Sequence, residues 1–135
     1  MTFIKFFLLY ILTLPVFLLD YVWLGIVSKD FYSRHIGHLF ANSLNWYAVA
    51  AFYLQYMIGI LVFVVVPALN NNSPWKALLL GSLLGFVAYS TYDLVNYATL
   101  KDWPFIVVVL DVLWGIFITG VTSFISFWIG KMLGL

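Results

Sequence analysis

The sequence predicts an all-α integral membrane protein with four transmembrane helices, and two observations carry this prediction. Hydrophobic residues make up 65% of the 135 residues and charged residues only 8%, whereas a soluble domain carries about 25% charged residues. In addition, four apolar stretches are each long enough to cross a bilayer, which takes roughly 20 helical residues. These stretches do not alternate polar and apolar residues, so they do not fit the strands of a membrane barrel.

The same composition excludes several classes of function. A net charge of +1 gives no basic face for a nucleic acid. The chain has no cysteine, so disulfides, thiolate ligands and cysteine nucleophiles are excluded. The sequence also contains no phosphate-binding glycine loop and no pattern of haem ligands. We therefore expect no cofactor and no nucleic-acid partner.

The predicted helices belong to one domain that covers residues 1–135. They run over Phe3–Ile26, Asn45–Leu69, Trp75–Leu100 and Trp103–Lys131. The first is longer than the apolar core of a signal peptide, which has about 7–15 residues, and no small-residue cleavage site follows it. We therefore expect it to be a membrane span. Pro15 should kink this helix, because proline has no N–H to donate to the Ile11 carbonyl.

The connections between the helices contain capping signals and the secondary site candidates. Ser73 is predicted to cap a helix that begins at Pro74, and Asp102 is predicted to be the N-cap of the last helix. The longer connection from Val27 to Leu44 is amphipathic, which predicts a short interfacial helix between helices 1 and 2. It holds Arg34, His35 and His38. Two histidines at this spacing are weak evidence for a metal site, so none is predicted.

Three carboxylates, Asp20, Asp93 and Asp111, lie inside the predicted helices. A charge at the bilayer centre costs about 3 kcal/mol or more, so such residues are functional candidates. Asp20 and Asp93 fall in the last third of helices 1 and 3, and Asp111 falls in the first third of helix 4. Because successive helices cross in opposite directions, all three should lie near the same membrane surface.

Helical spacing places polar and aromatic side chains beside these acids. Tyr89, Asn96 and Tyr97 lie one turn from Asp93, and we expect function to depend on the charge of Asp93. Trp23 and Trp114 follow Asp20 and Asp111 by three residues, so each pair should place an indole N–H near a carboxylate. The predicted ligand site consists of Asp20, Trp23, Tyr89, Tyr92, Asp93, Asn96, Asp111 and Trp114.

Gly81 and Gly85 form a G-x-x-x-G pattern on the third helix. Such a pattern lets two helix backbones approach closely. We expect a tight helix contact at these glycines, either within the bundle or in a homodimer.

Four blocks in order resemble a known family. They are Asp20–Gly25, Phe31-Tyr32 with Ile36–Leu39, Tyr92–Leu100 with Trp103-Pro104, and Asp111–Gly115. In these blocks the chain is similar to a family of small bacterial inner-membrane proteins with four predicted helices, catalogued as a domain of unknown function. The resemblance spans nearly the whole chain. It implies the same helix count and an inner-membrane location, and it carries no activity.

The sequence favours a one-sided site for a small cationic, polar or lipid headgroup ligand, in a binding or transport module. Cation–π contact with the Tyr and Trp rings would favour a cationic ligand. The alternatives are a membrane-embedded enzyme that acts on a lipid, with one Asp as general base, and a structural partner subunit. The expected partners are membrane lipids, the ligand and a second copy of the chain.

The orientation of the chain is predicted from its basic residues. Lys and Arg are divided equally between the two sides, with three on each. The amino terminus and the usual dominance of the first helix favour both termini in the cytoplasm.

Overall fold

The computed structural model describes all 135 residues and contains only helices, which cover 84% of the chain. Four helices are long and apolar enough to cross a membrane, which confirms the predicted fold class. They are spans 1 to 4 and run over Phe3–Val27, Trp46–Asn70, Pro74–Thr99 and Phe105–Met132. A separate helix over Lys29–Ile36, the linker helix, joins spans 1 and 2.

Spans 1 and 2 each contain a turn of π-helix that the hydropathy pattern does not predict. Span 1 is α-helical over Phe3–Phe17 and Leu19–Val22 and π-helical over Trp23–Val27. Span 2 is α-helical over Trp46–Ile60 and Val66–Asn70 and π-helical over Leu61–Val65. The first α-helix continues through Pro15 and is interrupted only at Leu18. Turns of π-helix are frequent at functional sites, and the one in span 1 begins one turn after Asp20.

The helix cap predicted between spans 2 and 3 is present, whereas the cap predicted between spans 3 and 4 is not. The Ser73 hydroxyl accepts a hydrogen bond from the Lys76 N–H at 3.1 Å, and Pro74 is the first residue of span 3, which confirms this cap. The cap predicted at Asp102 is wrong. Span 4 begins only after Pro104, which has an extended conformation, so Asp102 lies too far upstream to reach the first N–H groups of the helix.

Span 4 is the central helix of the bundle and packs against each of the other spans. Half of its most apolar window is buried, against 17% to 39% for the other three spans. Hydroxyl groups join it to spans 1 and 2. Ser126 and Thr13 hydrogen-bond at 2.8 Å, and Thr119 and Tyr56 at 2.9 Å. Most large apolar side chains of the core come from spans 1 and 2, and span 4 adds Ile118 and Phe127.

Spans 3 and 4 pack backbone against backbone at Gly81 and Gly85, which confirms the tight contact predicted there. A Cβ atom on Gly81 would lie 2.7 Å from the Ser123 Cβ and 3.0 Å from the Thr119 carbonyl oxygen. A Cβ atom on Gly85 would collide with the Gly115 carbonyl group. Both glycines therefore contact span 4 inside the bundle, so they are not available for a contact between two copies of the chain.

The linker helix packs with one face onto the start of span 4. Tyr32 and Ile36 are each 7% exposed. They form a small apolar cluster with Trp103, Val107 and Val108, separate from the main core. This packing brings the Tyr32 hydroxyl to the first turns of span 4.

Candidate functional site

The three carboxylates inside the helices are all buried. Asp20, Asp93 and Asp111 are 1%, 0% and 8% exposed. Asp111 is close enough to the other two to interact with both electrostatically. No Lys or Arg forms an ion pair with any of them, because the one ion pair of the structure joins the exposed His38 and Asp102. A buried carboxylate without a countercharge is costly unless donors hold it, so the surroundings of each acid decide its chemistry.

Asp20 is held by two donors from other spans. The Trp114 Nε1–H donates to one carboxylate oxygen at 2.6 Å, and the Tyr53 hydroxyl donates to the other at 2.9 Å. The Tyr89 side chain also faces this carboxylate. All of these groups are neutral, so they fix the position of the carboxylate without cancelling its charge.

Asp111 receives its hydrogen bond from the linker helix. The Tyr32 hydroxyl donates to Asp111 Oδ1 at 2.9 Å. Burial, together with the neighbouring Asp111 carboxylate, raises the pKa of Tyr32 above its ordinary value. The hydroxyl therefore stays protonated at physiological pH and acts as a donor. The linker helix thus supplies a polar contact to the acid at the start of span 4.

Asp93 is the most buried of the three acids and the least satisfied. Neither of its carboxyl oxygens has a hydrogen-bond partner, and both are shielded from solvent. The Asp111 carboxyl group and the Trp103 indole lie beside it. The Trp103 Nε1–H is itself buried without a partner. Two carboxyl groups and an indole N–H therefore meet at one point, and neither Asp93 nor the Trp103 N–H makes the hydrogen bonds that buried groups normally make.

Tyr89 and Tyr97, which the sequence places beside Asp93, do not hydrogen-bond to it. Tyr89 faces Asp20, and Tyr97 is 49% exposed on the outside of the bundle. Residues three or four apart on a helix still diverge by roughly 40–60° around its axis. Asp93 points into the bundle, so the side chains on either side of it point to different neighbours.

Tyr92 and Asn96 lie at the edge of the site. Tyr92 is 57% exposed and stands edge-on to Trp103, with 5.8 Å between the ring centroids. The Asn96 side chain lies beside the Tyr92 hydroxyl and makes no hydrogen bond to Asp93. These two residues therefore border the buried carboxyl groups without contacting their oxygens.

Trp23 and Trp114 form one stacked pair. Their ring centroids are 4.4 Å apart and their planes differ by 9°. Trp114 donates across the helix interface to Asp20, while the Trp23 Nε1–H is buried without a partner and lies near the Tyr32 hydroxyl. The prediction that each Trp places its indole N–H near the Asp three residues before it is wrong. The two stacked rings instead lie across the interface between spans 1 and 4.

The secondary candidates of the linker region do not join the site. Arg34 is exposed, and its Nε–H donates to a backbone carbonyl one turn earlier at 3.3 Å. His35 Nδ1 lies 2.8 Å from a carbonyl of its own helix. His38 Nε2 instead lies 3.5 Å from Asp102 at the surface. The two histidines are separated because the linker helix ends at Ile36 and His38 lies in a tighter turn after it.

Three donors of the site are absent from the set that the sequence predicts: Tyr32, Tyr53 and Trp103. The position along its span is the signal that could have identified Tyr53. It lies seven residues after Trp46, the start of span 2, or about 10 Å into the helix from the side that holds the carboxylates. Tyr32 and Trp103 lie in connections, where the sequence gives no depth.

Comparison with known proteins identifies the family of the chain. No curated protein and no solved structure matches it. A family model described as a predicted membrane protein (DUF2177) matches residues 6–128, which include all three buried carboxylates. The chain therefore belongs to DUF2177, a family of predicted membrane proteins of unknown function.

Proposed function

We propose that this protein binds a small cation at its buried carboxylates on one side of the membrane, as a binding or transport module. The observation that carries the proposal is the Asp93 side chain, which is fully buried and has no hydrogen-bond partner on either oxygen. An ionised carboxylate in that position costs several kcal/mol unless a positive charge or donors compensate it. Since no positive charge and no hydrogen bond reaches either oxygen in this structure, a bound cation would supply the compensation.

The charge balance of the whole site supports the same conclusion. Asp20 and Asp111 receive hydrogen bonds only from neutral donors, Asp93 receives none, and no Lys or Arg side chain pairs with any of the three. Ionisable residues inside membrane helices are rare and often mark ion pathways and proton relays. The proposal places these aspartates within the membrane, near the surface to which the linker helix belongs.

The geometry favours a small ion over a large lipid headgroup. Trp23 and Trp114 stack on one another, so their facing surfaces cannot enclose a cationic headgroup by cation–π contact. The oxygens of Asp93 have no contact with solvent, so an organic ligand outside the bundle does not reach them in this conformation. Tyr92 is exposed and is the residue that a neighbouring membrane lipid would contact at the edge of the site.

The proposal includes the location and assembly of the protein. We propose an inner-membrane location with both termini in the cytoplasm, which would place the carboxylate side outward. Fusions of fluorescent and periplasm-dependent reporter proteins to the carboxyl terminus test this orientation. We also propose that the protein forms a homodimer, and the mass of the purified protein in a mild detergent tests this. Gly81 and Gly85 are not available for such a dimer, because span 4 occupies them.

The decisive experiment measures whether cations stabilise the purified protein. Thermal unfolding in a mild detergent is followed with increasing Na⁺, K⁺ or choline, at constant ionic strength. A ligand at 100 times its Kd should add about 2.7 kcal/mol to the stability. We expect one of the inorganic ions to stabilise the wild type and to leave Asp93→Asn unaffected. Asp102→Asn is the matched control, because Asp102 is exposed and outside the site.

The outcome also separates the two alternative functions. If no ion stabilises the protein, or if Asp93→Asn responds as the wild type does, the cation proposal is wrong. A lipid-modifying enzyme would instead retain a lipid in native mass spectrometry and convert it. A structural subunit would do neither, and would be recovered with a protein partner.

A further inference from the structure

Three buried polar atoms without partners lie together at Asp93. They are the two carboxyl oxygens of Asp93 and the Nε1–H of Trp103. Asp93 is fully buried and Trp103 is 9% exposed, so water does not satisfy these groups from the surface. Buried polar groups are rarely left unpaired, and a cluster of them needs an explanation.

The contacts of Asp111 limit how the unpaired atoms of Asp93 and Trp103 can find hydrogen-bond partners. Its carboxyl group lies within hydrogen-bonding reach of Asp93, and it already accepts the Tyr32 hydroxyl at Oδ1. Two ionised carboxylates are both acceptors, so they repel one another and cannot form a hydrogen bond. A hydrogen bond between them therefore needs one added proton.

We propose that Asp93 and Asp111 share a single proton, which Asp93 carries and donates to the Asp111 carboxylate. The assignment to Asp93 follows from Tyr32, whose hydroxyl makes Asp111 the acceptor of the pair. With the proton in place, one Asp93 oxygen donates to Asp111 and the other is free to accept the Trp103 Nε1–H. One proton thus gives partners to all three unpaired atoms.

A proton fits this pair better than a divalent metal ion does. Ca²⁺ and Mg²⁺ need about six or more oxygen ligands, and no group of three or more His or acidic side chains is arranged to hold a metal. A proton needs only the two oxygens that are present. Two carboxyl groups that share one proton are a known arrangement for acids held close together.

The shared proton also gives the proposed cation site an exchange step, and this step alone rests on the proposed function. When a monovalent cation binds between the two carboxylates, the proton leaves Asp93 for water. The protonated pair carries one negative charge, and the two ionised carboxylates together with the bound cation also carry one, so the exchange does not change the net charge of this buried site.

Infrared spectroscopy of the purified protein tests the shared proton without any added ligand. A protonated carboxyl group gives a carbonyl stretching band that is separate from the bands of ionised carboxylates and that shifts in deuterium oxide. The chain has only five acidic side chains, so the band of one group can be assigned. At neutral pH we expect the band in the wild type, its loss in Asp93→Asn, and its retention in the control Asp102→Asn.

Absence of the band from the wild type, or its persistence in Asp93→Asn, would overturn the proposal. If Asp93→Asn does not fold, Tyr32→Phe provides a second test. It removes the hydrogen bond to Asp111 Oδ1, and should shift the frequency of the band without removing it. An unshifted band in Tyr32→Phe also counts against the proposal. A band without cation binding would leave the proton pair intact and refute only the cation site.

Discussion

Replacing Gly85 with Ala should separate spans 3 and 4 and destabilise the bundle. The added Cβ atom would collide with the Gly115 carbonyl group and would lie 2.9 Å from the Thr119 Cβ. The main obstacle is backbone, which cannot rotate away as a side chain can. Overpacking of this kind costs about 1–3 kcal/mol, whereas alanine gains at most about 1 kcal/mol over glycine in helix propensity. We therefore expect a net loss on the order of 1–2 kcal/mol.

Gly59→Ala is the matched control for this prediction. A Cβ atom on Gly59 would meet only Phe63, at 3.9 Å, which is an ordinary contact, so only helix propensity should change. This variant should be as stable as the wild type or up to about 1 kcal/mol more stable. Unfolding in mixed micelles with increasing sodium dodecyl sulfate, followed by circular dichroism, measures both variants. Equal stability of Gly85→Ala and Gly59→Ala would refute the backbone contact between spans 3 and 4.

Three further predictions concern the side chains of the site and its surroundings. Trp114→Phe should lower the stability by about 1–3 kcal/mol, because it leaves a buried carboxyl oxygen of Asp20 without its donor; a double-mutant cycle with Asp20→Asn should show coupling, and zero coupling would contradict the contact. Tyr32→Phe should release the linker helix from Asp111, so limited proteolysis in this region should be faster than in the wild type. Asp102→Asn should change the stability by less than about 1 kcal/mol, and a larger loss would mean that its contact with His38 is not a simple surface pair.

The meeting of the three acids at one end of the bundle could be predicted from the sequence, but their hydrogen-bond partners could not. Alternating helix direction was enough to place Asp20, Asp93 and Asp111 at one end of the bundle. Partners depend on which faces of neighbouring helices meet, and spacing within one helix contains no such information. Asp20 shows this, because its donors come from spans 2 and 4. The sequence instead predicted a donor on the same helix, Trp23.

The glycines on span 3 were predictable for a different reason. Gly81 and Gly85 imply a close approach whatever the partner is, because a residue without a side chain leaves space that another helix fills. The linker helix was predicted from its amphipathic pattern, yet the contact of Tyr32 with Asp111 was not. That contact depends on the path of the chain after the π-helical turn, and local sequence does not determine this path.

The central position of span 4 has a consequence for how the protein is made. Ribosomes deliver spans 1, 2 and 3 to the membrane before the helix that touches all of them has been synthesised. Until then Asp20 lacks its bond from Trp114, and Gly81 and Gly85 have no helix to pack against. The first three spans must therefore remain in the lipid, or beside the insertion machinery, without their contacts to span 4. The bundle is complete only after the last helix has been inserted. Chains that stall before residue 105 should be substrates for membrane proteases.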